Sequence, residues 1–128
     1  MLETYTHICE SLINRGFEVL SMHVVDPDLE EAESRMSEQE IYERDMGLLE
    51  KADCLIAEVS TASIGVGYEV CSAIGMEMPV LCVHDSIANV SSMILGNTNE
   101  NMTIREYNNL EELEKIVLEF ADPIGENR

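Results

Sequence analysis

The sequence predicts an α/β domain, a parallel sheet with helices on both faces. Stretches with helical spacing of apolar residues alternate along the chain with short, strand-like apolar runs. One such run, Cys54 to Ala57, passes through small residues straight into a helix-like stretch. At 128 residues and 45% hydrophobic, the chain suffices for one domain with its own core, spanning residues 1–128.

The elements follow in order. Leu2, Tyr5, Ile8, Cys9, Leu12 and Ile13 recur at helical spacing, and Gly16 stops that helix. Phe17 to Val25 reads as a strand, and Asp26 to Ser34, with Pro27 and a run of acids, as a loop. Ser37 and Glu40 form a capping box for a helix over about Glu38–Lys51. A strand is expected over Asp53–Val59, a loop to Gly67, and a helix over Tyr68–Met76. Pro79–His84 is the next strand, followed by a loop with a short helix at Val90–Leu95. Met102–Glu106 is a short strand, Asn109–Ala121 an amphipathic helix, and Asp122–Arg128 a tail. In such sheets ligands bind beyond the carboxyl ends of the strands. The Ser60–Gly67 loop and the His84–Ser92 segment should therefore meet at one site.

The most informative segment is Val59 to Glu69, Val-Ser-Thr-Ala-Ser-Ile-Gly-Val-Gly-Tyr-Glu. Ser63, Gly65 and Gly67 allow close backbone approach, and free N–H groups at a helix start favour an anion. A carboxylate in the first turn, Glu69, opposes an anionic ligand unless it does chemistry, which suggests a site that holds a phosphate or sugar and attacks it. A tight structural turn explains the glycines equally well. The segment is neither a dinucleotide fingerprint, whose third glycine would fall at Val70, nor a P-loop.

Composition excludes several classes. With 26 acidic against 7 basic residues the net charge is −19. That field repels nucleic acid and anionic membranes, so neither is an expected partner. The surplus otherwise simply solvates the surface. No apolar run approaches the ~20 residues of a membrane span, and no signal-peptide pattern opens the chain, so a cytoplasmic protein is expected. Cys9, Cys54, Cys71 and Cys82 are widely spaced and read as reduced, buried small hydrophobes. His7, His23 and His84 show no metal-ligand spacing, so neither a metal nor another cofactor is expected.

Asp45 stands out in the second capped helix. It falls on the face of Ile41, Leu48, Leu49 and Ala52, where a carboxylate needs a partner or a purpose. Arg44 or a backbone N–H satisfies it at the edge of that face, or else the carboxylate has a functional role, which is the reading its placement favours.

Ala57-Glu58-Val59, Ser63-x-Gly65-Val66-Gly67-Tyr68-Glu69 and the upstream Glu43-x-Asp45 together resemble the nucleoside 2-deoxyribosyltransferase family. The similarity is strongest to its 2′-deoxynucleoside 5′-monophosphate N-hydrolase branch. It reaches from the first helix to about Tyr107, with weaker matches at His23-Val24 and Ser91-x-Met93-Ile94-x-Gly96. The resemblance implies a flavodoxin-like sheet and an N-glycosidase acting through a covalent glycosyl–enzyme. It makes Glu69 the nucleophile and Asp45 the carboxylate assisting at base or sugar. Ser63 would bind the 5′-phosphate, with Gly65 and Gly67 as further substrate-binding residues, and Ser91 would reach the phosphate across a homodimer interface. His23, at the end of a strand, either binds substrate near the site or is a hydrogen-bonded structural histidine. A nucleotide is then the expected small-molecule partner.

The chain departs from the family at its start. The family's first strand and its Gly-Ser-Ile-Arg-Gly-Gly-like loop, with a substrate-contacting tyrosine, have no counterpart before Met1. In a 2-1-3-4-5 strand order the missing strand is central. Either Met1 is an internal methionine mistaken for the start or the domain is N-terminally truncated, and in both cases the chain as given is expected to be inactive or poorly folded. Beside the hydrolase stand a deoxyribosyltransferase, a ribonucleotide-cleaving relative and a non-catalytic nucleotide-binding paralogue. Tyr68 either stacks on a base or packs on the sheet, Tyr42 lines the pocket or a dimer interface, and Glu58 orients loop N–H groups.

Overall fold

The computed structural model describes residues 2–21 and 27–126. They form two compact units, Met1–Ala52 and Asp53–Arg128.

The first unit is helical: α1 (Leu2–Asn14), α2 (Pro27–Glu33) and α3 (Glu38–Lys51). In α1 the residues Ile8, Ser11 and Leu12 are buried, and Ser11 Oγ donates to the His7 carbonyl at 2.8 Å. Gly16, at φ +98°, ends the helix as expected: its N–H reaches the Ile13 carbonyl while that of Phe17 folds back to Leu12. That wrap commits Phe17 to the helix end, and residues 17–21 form no strand; the remainder of the expected Phe17–Val25 strand, with His23, lies outside the described residues. The acidic stretch expected as a loop instead forms α2. Proline at a first helical position is pre-set for helix, and acids in a first turn suit the helix dipole. The capping box opening α3 is present, with Ser37 Oγ accepting from the Glu40 N–H at 3.1 Å and Glu40 Oε1 from the Ser37 N–H at 2.9 Å.

The second unit is a three-stranded parallel sheet with helices: β1 (Leu55–Glu58), α4 (Ile64–Gly75), β2 (Val80–Asp85), α5 (Ser92–Leu95), β3 (Met102–Tyr107) and α6 (Leu110–Glu126). The strand order is β1-β2-β3, with Leu55 beside Val80 and Val80 beside Met102. A sequential parallel order is what the 3-4-5 part of a flavodoxin-like sheet has. Val80, Leu81, Cys82 and Val83 of the central strand are all fully buried, so both of its faces are covered. Helix α4 packs on β1 and β2, and α6 on β2 and β3.

Two boundaries differ from expectation by four residues or more, and the strand limits and the start of α5 by one or two. α4 starts at Ile64 rather than Tyr68, because Ser63 caps it and Gly65 and Gly67 join its first turns. α6 runs to Glu126, through Pro123, where a tail was expected from Asp122. The proline removes one ladder hydrogen bond, and the buried stripe of Leu113, Ile116, Val117 and Ala121 anchors the helix up to that point.

Candidate active site

Parallel strands bring their carboxyl ends to one edge of the sheet, and the loops leaving β1 and β2 begin there. The two loops meet: Ser60 Oγ accepts from the Asp85 N–H at 2.8 Å. This contact is the one the sequence led us to expect between the Ser60–Gly67 and His84–Ser92 segments.

The loop from β1 is short and ends in a cap. Ser63 has extended backbone, its Oγ accepts from the Val66 N–H at 3.2 Å, and its carbonyl accepts from the Gly67 N–H at 3.0 Å. Ile64 and Gly65 contribute the remaining N–H groups of the first turn, which have no partner within a helix. The capping bond uses a lone pair of Ser63 and leaves its O–H proton free to donate. Ser63, Ile64 and Gly65 are exposed, Ile64 to 94%. A Cβ at Gly65 would meet only Ser63 Oγ at 3.9 Å, and one at Gly67 would meet nothing within 4 Å. The chain's own packing therefore does not demand either glycine. Such an end can hold an anion through N–H groups, a hydroxyl and the helix dipole.

Because α4 begins earlier than expected, Glu69 sits in its second turn, and no acid occupies the first. It is half-buried and precedes Val70, which is buried against the sheet side of the helix with Ala73. The carboxylate is thus set back one turn from the anion-favouring end instead of opposing it there. Tyr68 remains 51% exposed, so it does not pack wholly onto the sheet. Ser91 begins the short α5 as its cap, accepting from the Met93 N–H at 3.2 Å, and is exposed.

In the other unit, Asp45 lies on α3 with 32% side-chain exposure and accepts from Arg44 Nε at 2.9 Å. Arg44 also reaches Glu33 Oε2 at 2.9 Å, joining α3 to α2. Burial opposes the Arg44 charge, yet the Glu33 and Asp45 carboxylates together hold its pKa above the ordinary value. The partner that explains Asp45 most simply is therefore present. Tyr42 is exposed on the same helix.

All four cysteines are free thiols, but only Cys82 is buried; Cys9 and Cys54 are partly so and Cys71 is exposed. That corrects the expectation of four buried thiols: Cys71 faces away from the Val70 and Ala73 side of α4. Desolvation pushes Cys82 up to about 11, and desolvation with the neighbouring Asp53 charge does the same for Cys54. Both stay protonated and unreactive at neutral pH. Among the described residues no helix is long and apolar enough to cross a membrane.

Sequence reasoning assigned Glu58 an orienting role but missed its partners. Glu58 ends β1 and is almost fully buried; its Oε1 accepts from the Ser60 N–H at 2.6 Å and its Oε2 from Ser60 Oγ at 2.8 Å and from the Tyr107 hydroxyl. The signal was an acid ending an otherwise apolar strand, a position that requires hydrogen-bond donors.

Comparison with known proteins adds identity to this geometry. Residues 2–114 match the nucleoside 2-deoxyribosyltransferase family. A Methanosarcina mazei protein, provisionally named 2′-deoxynucleoside 5′-phosphate N-hydrolase 1, is 54% identical over 120 residues, covering 94% of this chain and 74% of its own. A Methanococcoides burtonii protein of the same provisional name is 56% identical over 105 residues, covering 82% of this chain and 86% of its own. The 5-hydroxymethyl-dUMP N-hydrolase of Esox lucius is 38% identical over 122 residues, with 91% and 83% covered. By its strand order, its Ser63–Glu69 helix start and these matches, the chain belongs to the nucleoside 2-deoxyribosyltransferase family.

Proposed function

We propose that the chain, acting as one domain over residues 1–128, hydrolyses the N-glycosidic bond of 2′-deoxynucleoside 5′-monophosphates to free base and deoxyribose 5-phosphate. The observation that carries this reading is the start of α4. There an open, hydroxyl-capped helix end with two unneeded glycines lies one turn from a carboxylate. The names of the relatives supply the substrate class.

In this mechanism the Ser63 O–H and the Ile64 and Gly65 N–H groups hold the 5′-phosphate, and Gly67 leaves room for it. A Glu69 oxygen attacks the anomeric carbon as the bond to the base nitrogen breaks, through an oxocarbenium-like state. Asp45, released from Arg44 and present as the carboxylic acid, donates its proton to the leaving base nitrogen and becomes the carboxylate. Water then attacks the anomeric carbon, Asp45 accepts its proton, and Glu69 is released with overall retention. Ser91 contacts the phosphate bound by a second subunit in a homodimer, a role to which its exposure and the bare Ile87 and Met93 around it are suited. Free thiols and a nucleotide substrate fit a cytoplasmic setting.

The test is chromatography of reactions with the four deoxynucleoside monophosphates, each with and without a second free base. Base release with no new nucleotide supports the hydrolase. Formation of a new nucleotide makes the chain a transferase, and binding without turnover makes it a non-catalytic paralogue. Sedimentation at micromolar concentration tests the dimer, which a single monomeric species would rule out. Recovery of the protein in a membrane fraction would contradict the cytoplasmic setting.

A further inference from the structure

Glu58 is 3% exposed, and its hydrogen-bond donors are two hydroxyls and one amide. These contacts tie the carboxyl ends of all three strands together. Glu58 ends β1, Tyr107 ends β3, and the Asp85 N–H at the end of β2 bonds to the same Ser60 hydroxyl that donates to Glu58. Ser60 is the first loop residue after Val59, whose N–H is itself held by the Val83 carbonyl at 2.8 Å. Only Thr61 and Ala62 separate Ser60 from the cap Ser63. Fixing Ser60 therefore fixes where α4 begins.

We propose that Glu58, Ser60 and Tyr107 form a positioning network that sets the grip of the α4 start on the substrate phosphate, without touching the reacting atoms. The inference rests on the reading of Ser63 and the first turn of α4 as the phosphate end. The two ends of that helix segment are held by different means. Glu69 is anchored by its neighbour Val70 and by Ala73, buried against the sheet. Ser63 lies on the exposed side and depends on the loop. Loosening the network displaces the phosphate contacts first and leaves the nucleophile in place. A carboxylate suits the position because it accepts at both oxygens at once, as the three donors require. An amide in its place presents donors to one pair of hydroxyls and forces Ser60 or Tyr107 to turn.

The experiment compares wild type with Tyr107→Phe and Glu58→Gln. Kinetics use a deoxynucleoside monophosphate and the matching unphosphorylated deoxynucleoside, calorimetry uses deoxyribose 5-phosphate, and thermal unfolding tests integrity. Tyr107→Phe, the gentler change, leaves Glu58 its two Ser60 donors and keeps the strand residue's shape. The expected result is a KM for the nucleotide raised about tenfold with kcat little changed, and deoxyribose 5-phosphate binding weakened to match. Activity on the unphosphorylated nucleoside should stay as in wild type. Equal losses on both substrates, or a fall in kcat at unchanged KM, would overturn the proposal. If wild type turns nothing over, the hydrolase reading fails and calorimetry alone decides. Weakened deoxyribose 5-phosphate binding in Tyr107→Phe then still supports the network. Unchanged binding, or none by wild type, overturns it.

Discussion

Gly67 shows how a single residue separates folding from function at this helix. It lies in helical backbone with no atom near its missing Cβ, so alanine fits there. Glycine inside a helix costs about 0.5–1 kcal/mol relative to alanine. Gly67→Ala should therefore raise the unfolding free energy by about 0.5–1 kcal/mol in urea titrations. If a phosphate approaches the helix here, the same change raises the KM for nucleotide; a more stable variant with unaltered KM would remove Gly67 from the site. Gly96 contrasts with it, since a Cβ there would stand 2.9 Å from the Ser92 carbonyl oxygen. At this scale the sequence was readable where chemistry is local. The Ser63 motif and the isolated Glu58 announce themselves by residue type. The Tyr107 contact does not, because a bond between residues 49 apart depends on which strands become neighbours.

The elements carry a matched pair of helix ends. α1 closes with Gly16 at φ +98°, and α4 closes in the same hydrogen-bond pattern, Glu77 to Ile74 and Met78 to Ala73, with Glu77 at φ +59°. Left-handed backbone costs a residue with a Cβ about 1–2 kcal/mol, which glycine avoids. Glu77→Gly should stabilise the protein by about 1 kcal/mol in thermal or urea unfolding, and destabilisation would show that the Glu77 side chain outweighs that strain. The capping box of α3 adds a pH dependence. The Ser37 backbone and side-chain contacts hold Glu40 below its ordinary value of 4.5. A lowered folded pKa means that the box stabilises α3 fully above that ordinary value and loses its effect as pH falls through the folded one. Acid unfolding of Glu40→Gln should lack this component, and an unchanged acid limb would exclude the box from stability. The order of the later strands came from the family resemblance, whereas the capping box and the Gly16 stop could be read from sequence because their signals lie within a few residues. The early start of α4 and the passage of α6 through Pro123 could not, since a cap and packing on the sheet outweighed the glycines and the proline.

The whole molecule carries a net charge of −19, and among the described residues Arg35, Arg44 and Arg105 pair with Glu31, Glu33, Asp45 and Glu119. Like charges repel across the compact state and are screened within about 8–10 Å at moderate salt. The melting temperature should rise as potassium chloride is raised from low concentration, and a melting temperature that falls or stays flat would mean that the acids are already compensated. The same field disfavours an anionic substrate, so binding must come from short-range donors. On the proposed reading that burden falls on the groups around α4, with Glu69 central among them.

The most direct measurement is release of free base from deoxynucleoside monophosphates by the wild-type chain and by Glu69→Ala, followed by chromatography. Release by wild type and its loss in the variant is the expected result, with both proteins melting alike. Undiminished release by Glu69→Ala, or none by wild type, would contradict a glycosidase whose nucleophile stands in the second turn of α4.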